Sequence, residues 1–98
     1  MTTRPPAITL TMLPVDIEVG DTVVTILEAT KLKLPWDEWM ISCQIKCGQV
    51  ASKIFNITYK DNKELRLKLE LEVAKFKYAL FTLGRERMIE IGLATPIK

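Results

Sequence analysis

Histidine is absent from this 98-residue sequence, which removes the side chain that proteins use most often as a general base, a metal ligand and a pH switch. Without histidine, neither cysteine has an imidazole partner to activate a thiolate, and the only serines, Ser42 and Ser52, lie in no nucleophile-elbow context. The four glycines are scattered, so the sequence holds no glycine-rich phosphate loop. We therefore predict a protein that is not an enzyme.

Cysteine is also scarce, with Cys43 and Cys47 as the only two. Their C-x₃-C spacing occurs in zinc sites, but a zinc site needs about four ligands and the sequence offers no second pair. On one strand the two cysteines would lie about 13 Å apart, which is too far for a mutual disulfide. We interpret both as small apolar residues on the buried face of a strand, and we predict neither a metal site nor a cofactor.

No apolar run approaches the roughly 18 residues of a membrane span, and no charged-then-apolar segment of the kind found in signal peptides opens the chain. We therefore expect a cytoplasmic protein. With 48% hydrophobic and 27% charged residues, the composition is typical of a folded protein rather than a disordered one. A chain of this length can bury one core without metals or disulfides, so we predict a single domain at residues 8–98 after a flexible arm at residues 1–7.

Most of the first sixty residues alternate between apolar and polar side chains, which is typical of strands with one buried face. Residues 22–34 are rich in β-branched side chains, but the doubled apolar pairs Val23-Val24 and Ile26-Leu27 break the alternation. Such pairs indicate either a strand covered on both faces or a β-bulge. The segment PWDEW, residues 35–39, is predicted to be a loop or one helical turn. The alternation predicts further strands in residues 7–13, 15–19, 40–47 and 54–60, with turns at Gly20-Asp21 and Gly48-Gln49.

The segment ELRLKLELEV, residues 64–73, consists of good helix formers, yet its apolar residues fall at every second position. A helix would expose leucine on two opposite sides, whereas a strand would bury all five apolar side chains on one face. Full burial is worth roughly 1.5–3 kcal/mol for each side chain, which exceeds propensity differences of a few tenths of a kcal/mol. We therefore predict a strand that pairs with residues 54–60 across a "DNK" hairpin loop between Lys60 and Glu64.

From Val73 onward the apolar spacing becomes helical, and Gly84 is well placed as a left-handed C-terminal cap. The spacing predicts a helix over residues 73–83 that packs on the leucine face of the sheet. Residues 87–94 are predicted to form either a short edge strand or a continuation of the helix. The predicted fold class is α+β, an antiparallel sheet of about five strands with one C-terminal amphipathic helix packed on one face.

Positive charge is concentrated in the second half of the chain, where ten Lys/Arg accompany six acids, against four and six in residues 1–49. The polar face of the predicted sheet interleaves cations with hydrogen-bonding side chains, a pattern that suits phosphate contacts along a single strand. The alternative is a merely solvated face, which Glu70 and Glu72 in the same alternation would favour. We predict that this face binds single-stranded DNA or RNA through Gln44, Lys46, Asn56, Thr58, Lys60, Arg66 and Lys68.

Trp36 and Trp39 flank two acids in the segment LPWDEW. Exposed, they would anchor a protein partner, because tryptophan is common at the centres of interfaces; buried, they would cover one end of the core. The alternative function is therefore a protein–protein adaptor or a structural subunit of a viral or cellular assembly. The apolar content that one helix would leave uncovered also predicts a homodimer, formed by pairing of sheet edges or sheet faces.

Overall fold

The structure of the chain, a computed structural model, describes residues 13–32 and 38–97. These residues form a six-stranded antiparallel sheet with a long helix packed on one face, which confirms the predicted α+β class. The predicted arm at residues 1–7 lies outside the described residues, and so do Ile8, Leu10 and Met12 of the predicted first strand. In chain order the elements are β1 (Val15–Val19), β2 (Thr22–Lys31), β3 (Trp39–Cys47), β4 (Val50–Ser52), β5 (Phe55–Tyr59), α1 (Asn62–Leu83), α2 (Arg85–Glu90) and β6 (Ala94–Pro96).

β3 is the central strand of the sheet. The strands run in the order β1-β2-β3-β4-β6, and β5 also pairs with β3. The first half of β3 pairs with β5 from Trp39↔Tyr59 to Cys43↔Phe55, and its end pairs with β4 through Cys47↔Val50. The strands predicted in residues 15–19, 40–47 and 54–60 are confirmed, with ends that differ by at most one residue.

The doubled apolar pair Ile26-Leu27 marks a β-bulge. Between Ile26 and Glu28 the register of β2 against β3 shifts, so that Leu27 is an extra residue in β2. In a regular strand, two residues three positions apart point to opposite faces. The bulge instead lets Ile26 and Ala29 both point into the core, which confirms the bulge alternative at Ile26-Leu27, whereas the register at Val23-Val24 is regular.

The segment ELRLKLELEV is helical, and the prediction of a strand there was wrong. Two residues along a helix correspond to a rotation of about 200°, so an every-second-residue pattern places alternate leucines on opposite sides. Leu65 and Leu69 are buried against the sheet. Leu67 and Leu71, which alternate with them, are each 58% exposed.

The helix is favoured because it gives α1 a long continuous core face. The apolar face predicted from Val73 onward extends back by two turns through Leu69 and Leu65, and 22 residues then form one helix. This continuity, together with the helix propensity summed over many Leu, Lys, Glu and Arg residues, outweighs the leucine burial that a strand would gain.

The residues expected to form a hairpin loop instead begin α1. Asp61 Oδ1 accepts a hydrogen bond from the Glu64 N–H at 2.8 Å, and Glu64 Oε1 accepts one from the Lys60 N–H at 2.8 Å. Together the two bonds form a variant of the capping box, in which Glu64 accepts from Lys60, the residue before the N-cap Asp61. The Asp61 side chain satisfies the Glu64 N–H, which has no intrahelical partner at the helix start. The Lys60 N–H, with the Lys68 ammonium nearby, holds the pKa of Glu64 below its ordinary value. The stability that this bond adds is therefore present above the ordinary glutamate pKa and is lost as the pH falls through the lowered one.

α1 ends where predicted, but it lies in the middle of the chain and not at its C-terminal end. Gly84 follows with a φ of +88°, a conformation that favours glycine, and its N–H donates to the Leu80 carbonyl at 2.9 Å. Beyond Gly84, α2 buries Met88, and β6 joins the sheet beside β4. Of residues 87–94, those up to Glu90 are helical in α2, which Gly84 separates from α1, and only Ala94 belongs to the edge strand β6.

Asp61→Ala should destabilise the protein by about 1 kcal/mol, because it removes the side chain that accepts the Glu64 N–H at the start of α1. The free energy of unfolding is measured by urea denaturation at neutral pH. Asp61→Asn is the matched control, since its side chain keeps an acceptor at the same position and should retain most of the stability. An Asp61→Ala protein as stable as the wild type would contradict the capping role.

Candidate functional site

The seven residues predicted to bind nucleic acid are divided between the two layers of the fold. Gln44 and Lys46 on β3 and Asn56 and Thr58 on β5 share the sheet face opposite α1, because the residues that alternate with them lie in the core. Lys60 directly follows β5. We call this surface the open sheet face, since no helix of the described residues covers it.

Arg66 and Lys68 do not lie on the open sheet face, because α1 carries them in the other layer. Arg66 forms an ion pair with Glu70 at 3.3 Å, and Lys68 forms one with Glu64 at 3.2 Å. Lys68 Nζ also donates to the main-chain carbonyl of Thr58 at 2.6 Å. The prediction that Arg66 and Lys68 extend a row of cations along the sheet was therefore wrong.

Carboxylates share the open sheet face with its cations. The register of β1 and β2 places Asp16, Glu18 and Glu28 on the same face as Lys46. A phosphate backbone would meet these negative charges as well as the lysines, which weakens the electrostatic attraction on which non-specific nucleic-acid binding depends.

Internal hydrogen bonds occupy several polar groups of the open sheet face. The side-chain amide of Gln44 donates to the Ser52 carbonyl at 2.9 Å, and the Ser42 hydroxyl donates to Asn56 Oδ1 at 2.8 Å. These bonds join neighbouring strands of the sheet. The polar groups therefore have a structural role, whether or not this face has a ligand.

Trp39 packs against the core. Its side chain is half-buried beside the core cluster, and the Lys31 ammonium lies 5.6 Å from the centroid of its ring, within cation–π range. This arrangement favours the interpretation that the tryptophan covers one end of the core. Trp36, the other residue predicted to bind a partner, lies outside the described residues.

Cys43 is enclosed in the core, as predicted, while Cys47 at the end of β3 is half-buried. Burial raises the pKa of the Cys43 thiol to about 12, and the negative charge of Glu72 adds to the effect. Both cysteines are free thiols. Within residues 13–32 and 38–97, no three or more Cys, Asp and Glu side chains are grouped so that they could hold a metal ion.

A surface that was not predicted from the sequence is an apolar row on the outside of α1. We call it the outer stripe, and its residues follow one another by four, three, four and three positions: Leu67, Leu71, Ala74, Tyr78 and Phe81. Tyr78 is 72% exposed and Phe81 is 89% exposed, the highest exposure among the large apolar residues described. Ala74, at the middle of the row, is exposed as well.

The outer stripe lies on the side of α1 opposite the sheet. Leu65, Leu69, Val73 and Phe76 are buried on the other side of the same helix, whose successive residues are about 100° apart. At 1.5 Å per residue, the stripe is roughly 21 Å long from its first residue to its last. α1 therefore has two apolar faces, and the core of the described fold uses one of them.

Contacts near both ends hold α1 in place. The capping box fixes its start, and Lys77 Nζ forms an ion pair of 2.7 Å with Asp21 in the turn between β1 and β2. The hydrogen bond from Lys77 holds the pKa of Asp21 below its ordinary value. The outer stripe is thus presented by a helix that the rest of the fold positions.

The signal for the outer stripe was present in the sequence. Leu67 and Leu71 made a helix look unfavourable, because a helix leaves them in water. Once the segment is known to be helical, the same unfavourable exposure becomes an indication that another surface covers these residues, since contiguous exposed apolar side chains mark interaction sites.

No protein-family model, curated protein or solved structure matches this chain. Within the part of the chain that the structure describes, no helix has both the length and the apolar character needed to cross a bilayer.

We expect no more than one thiol per chain to react rapidly with Ellman's reagent at about pH 8 in the native protein, because the thiolate is the reactive form. Cys43 is enclosed, and its raised pKa of about 12 leaves very little thiolate. Unfolding in guanidinium should make the second thiol reactive. Cys47→Ser is the control, and a native Cys47→Ser protein that reacts as fast as the unfolded chain would contradict the burial of Cys43.

Proposed function

We propose that this chain is a small non-catalytic protein-interaction module that binds a helical protein surface through the outer stripe. The observation that carries the proposal is the exposure of Tyr78 and Phe81 on a helix whose opposite side is already in the core. Contiguous apolar side chains left in water on a folded domain are typical of protein-binding surfaces. The proposal corresponds to the adaptor or structural-subunit alternative, with a binding surface different from Trp36 and Trp39.

Recognition through a helix face accounts for the spacing of the outer stripe. A partner helix or groove contacts residues that recur every three or four positions, and the stripe repeats in this way over four turns. Aromatic side chains dominate many interfaces energetically, so Tyr78 and Phe81 are the expected anchors, with Leu67 and Leu71 extending the contact. Because α1 is already folded, binding requires little ordering of the main chain.

The proposal includes the cytoplasmic location expected from the sequence. Cys43 and Cys47 are both free thiols, and reducing compartments keep thiols in this state. A single core of this size is stable without disulfides, so a reducing compartment would not compromise the fold.

Phe81→Lys should abolish or strongly weaken partner binding, because it puts a charge at the most exposed aromatic position of the outer stripe. The measurement is affinity capture from an extract of the native host with the tagged full chain as bait, followed by calorimetric titration with the purified captured protein. We expect at least a tenfold rise in Kd, since losing an aromatic anchor at the centre of an interface costs about 2 kcal/mol or more and about 1.4 kcal/mol corresponds to tenfold.

Ile54→Lys is the matched control. Ile54 is 60% exposed in the connection between β4 and β5, so this substitution also removes an exposed apolar side chain and adds the same charge, but outside α1. Circular dichroism verifies that both variants keep their helix. Binding that survives Phe81→Lys, or that Ile54→Lys weakens equally, would remove the outer stripe as the binding surface.

Single-stranded nucleic acid is the second candidate ligand, at the open sheet face. The observation that favours it is that Gln44, Lys46, Asn56 and Thr58 lie together on neighbouring strands, with no helix of the described residues over them. Binding would be largely independent of base sequence, because the described part of this face has no row of aromatic side chains on which bases could stack.

Lys46→Glu combined with Lys60→Glu should weaken oligonucleotide binding and reduce its salt dependence, because each lost phosphate contact lowers the slope of log affinity against log salt by roughly 0.7. The measurement is fluorescence anisotropy of a labelled single strand at two salt concentrations. Arg66→Glu combined with Lys75→Glu is the control, since it changes the net charge by the same amount in the helix layer. An equal effect of this control would reveal a response to overall charge, and a wild type that does not bind at low salt would reject nucleic acid as a ligand.

A further inference from the structure

We infer that the occupant of the outer stripe is a second copy of this chain, packed as an antiparallel pair of α1 helices around a two-fold axis at Ala74. This assignment of the partner rests on the proposed function of the outer stripe. The homodimer expected from the sequence is thereby placed on the helix layer, and not on a sheet edge or a sheet face.

The spacing of the outer stripe is that of a coiled-coil seam. Alternating steps of four and three positions average 3.5 residues, which keeps a row of side chains facing a partner helix over two heptads. Two heptads would be short for an isolated peptide, because a short helix is marginal in water. Here the sheet already holds α1 as a helix, so the pairing does not have to drive helix formation.

The outer stripe is nearly self-complementary about Ala74. Leu67 and Phe81 lie seven residues before and after Ala74, so an antiparallel pair places Leu67 opposite Phe81 of the partner subunit. In the same arrangement Leu71 lies near Tyr78 of the partner subunit, and each aromatic ring packs against a leucine. The small alanine side chains meet at the axis, where they allow close approach of the two helices. Such an isologous contact uses the same patch on both copies.

The charges beside the outer stripe complement one another in the antiparallel pair. Glu70 and Lys77 lie on the same flank of α1, one on each side of Ala74, so Glu70 faces Lys77 of the partner subunit. Within one chain, Glu70 already pairs with Arg66 at 3.3 Å, and Lys77 already pairs with Asp21 at 2.7 Å. Exposed pairs of this kind contribute little affinity, so their effect is on the orientation of the two helices.

A parallel pair would be less favourable for two reasons. It would bring Lys63 beside Lys68 of the partner subunit on both sides of the pair, a repulsion that offsets the attraction of its Glu70 for Lys75 of the partner subunit. It would also align the two helix dipoles in the same direction. The antiparallel pair has one like-charge approach, between Lys75 and Lys75 of the partner subunit. Each of these lysines has Glu72 of its own helix within 3.3 Å, which reduces the repulsion.

The exposed area of the outer stripe is close to that of a small stable interface. An aromatic side chain carries about 150–250 Å² of burial, so exposures of 72% at Tyr78 and 89% at Phe81 leave roughly 300 Å² on these two residues. Leu67 and Leu71 lie in the same row, each 58% exposed. The surface thus approaches the roughly 600 Å² per partner at the low end of stable interfaces.

Sedimentation equilibrium of the purified full chain tests the pairing. We expect the wild type to shift from monomer to dimer as its concentration rises through the micromolar range. Phe81→Lys should raise the Kd of the dimer at least tenfold, because two charged ends would then face the two Leu67 side chains. Ile54→Lys should leave the dimer unchanged, since Ile54 lies outside α1.

Disulfide trapping tests the antiparallel orientation, with oxidised glutathione as the oxidant and Cys47→Ser as the background. An antiparallel pair brings the two copies of position 74 together at the axis, and it keeps the two copies of position 67 roughly 20 Å apart. Ala74→Cys should therefore form a covalent dimer, and Leu67→Cys should not. Cross-linking at both positions would indicate a parallel pair and overturn the antiparallel arrangement.

Sedimentation and affinity capture together distinguish a wrong partner from a wrong binding surface. A monomeric wild type that still captures a different protein in a Phe81-dependent manner would overturn the second copy and retain the proposed function. A dimer that is insensitive to Phe81→Lys would place the interface elsewhere and overturn the assignment. A monomer that shows no Phe81-dependent capture would overturn both.

Discussion

The packing of α1 across the inner face of the sheet is the interaction on which the rest of the structure depends. Ile41 and Cys43 of β3 are fully buried under it, and the helix also meets β1 and β5 on either side of this central strand. Leu65 and Leu69 close over this face. Because one side of α1 is fixed by these contacts, the direction of its opposite side is fixed as well.

The two candidate surfaces differ in how strongly the fold already uses them. On the open sheet face, Gln44 and Asn56 have hydrogen-bond partners in neighbouring strands, and Lys46 has carboxylates on the same face. On the outer stripe, the side chains of Tyr78 and Phe81 project into water, where an aromatic ring gains nothing from the fold. Because the exposure of these two rings to water is unfavourable, we assign the binding function to the outer stripe and not to the open sheet face.

Alternation in the sequence predicted the strands whose two faces differ in polarity, because a half-buried strand requires that pattern. It failed at residues 64–73, where a helix with two apolar faces produces the same every-second-residue leucines. The distinguishing local signal was the spacing of Asp61 and Glu64, which suits a capping box. β4 and β6 have three residues each, too few for an alternation to be recognised, and they depend on pairing with distant segments.

The candidate site was predicted less well than the fold, because residues 64–73 were predicted to be a strand and are part of α1. Arg66 and Lys68 were assigned to a sheet face by counting positions along a strand that does not exist. An error of secondary structure moves a side chain to another layer, whereas Gln44 and Thr58, on correctly predicted strands, keep their face. The outer stripe could be identified only after the helix and its buried side were known.

The hydrogen bond from Lys68 to the Thr58 carbonyl protects one edge of the sheet from pairing with further strands. Among the described residues β5 pairs only with β3, so its other side is a sheet edge, and an uncovered edge can recruit further strands without limit. The Lys68 ammonium occupies a main-chain acceptor on this strand, and an added strand would have to displace a charged group from it. Growth of fibres by strand addition is thereby opposed at β5. Association through a closed, two-fold contact on the helix layer would stop at a pair, which keeps the particle small and of defined size.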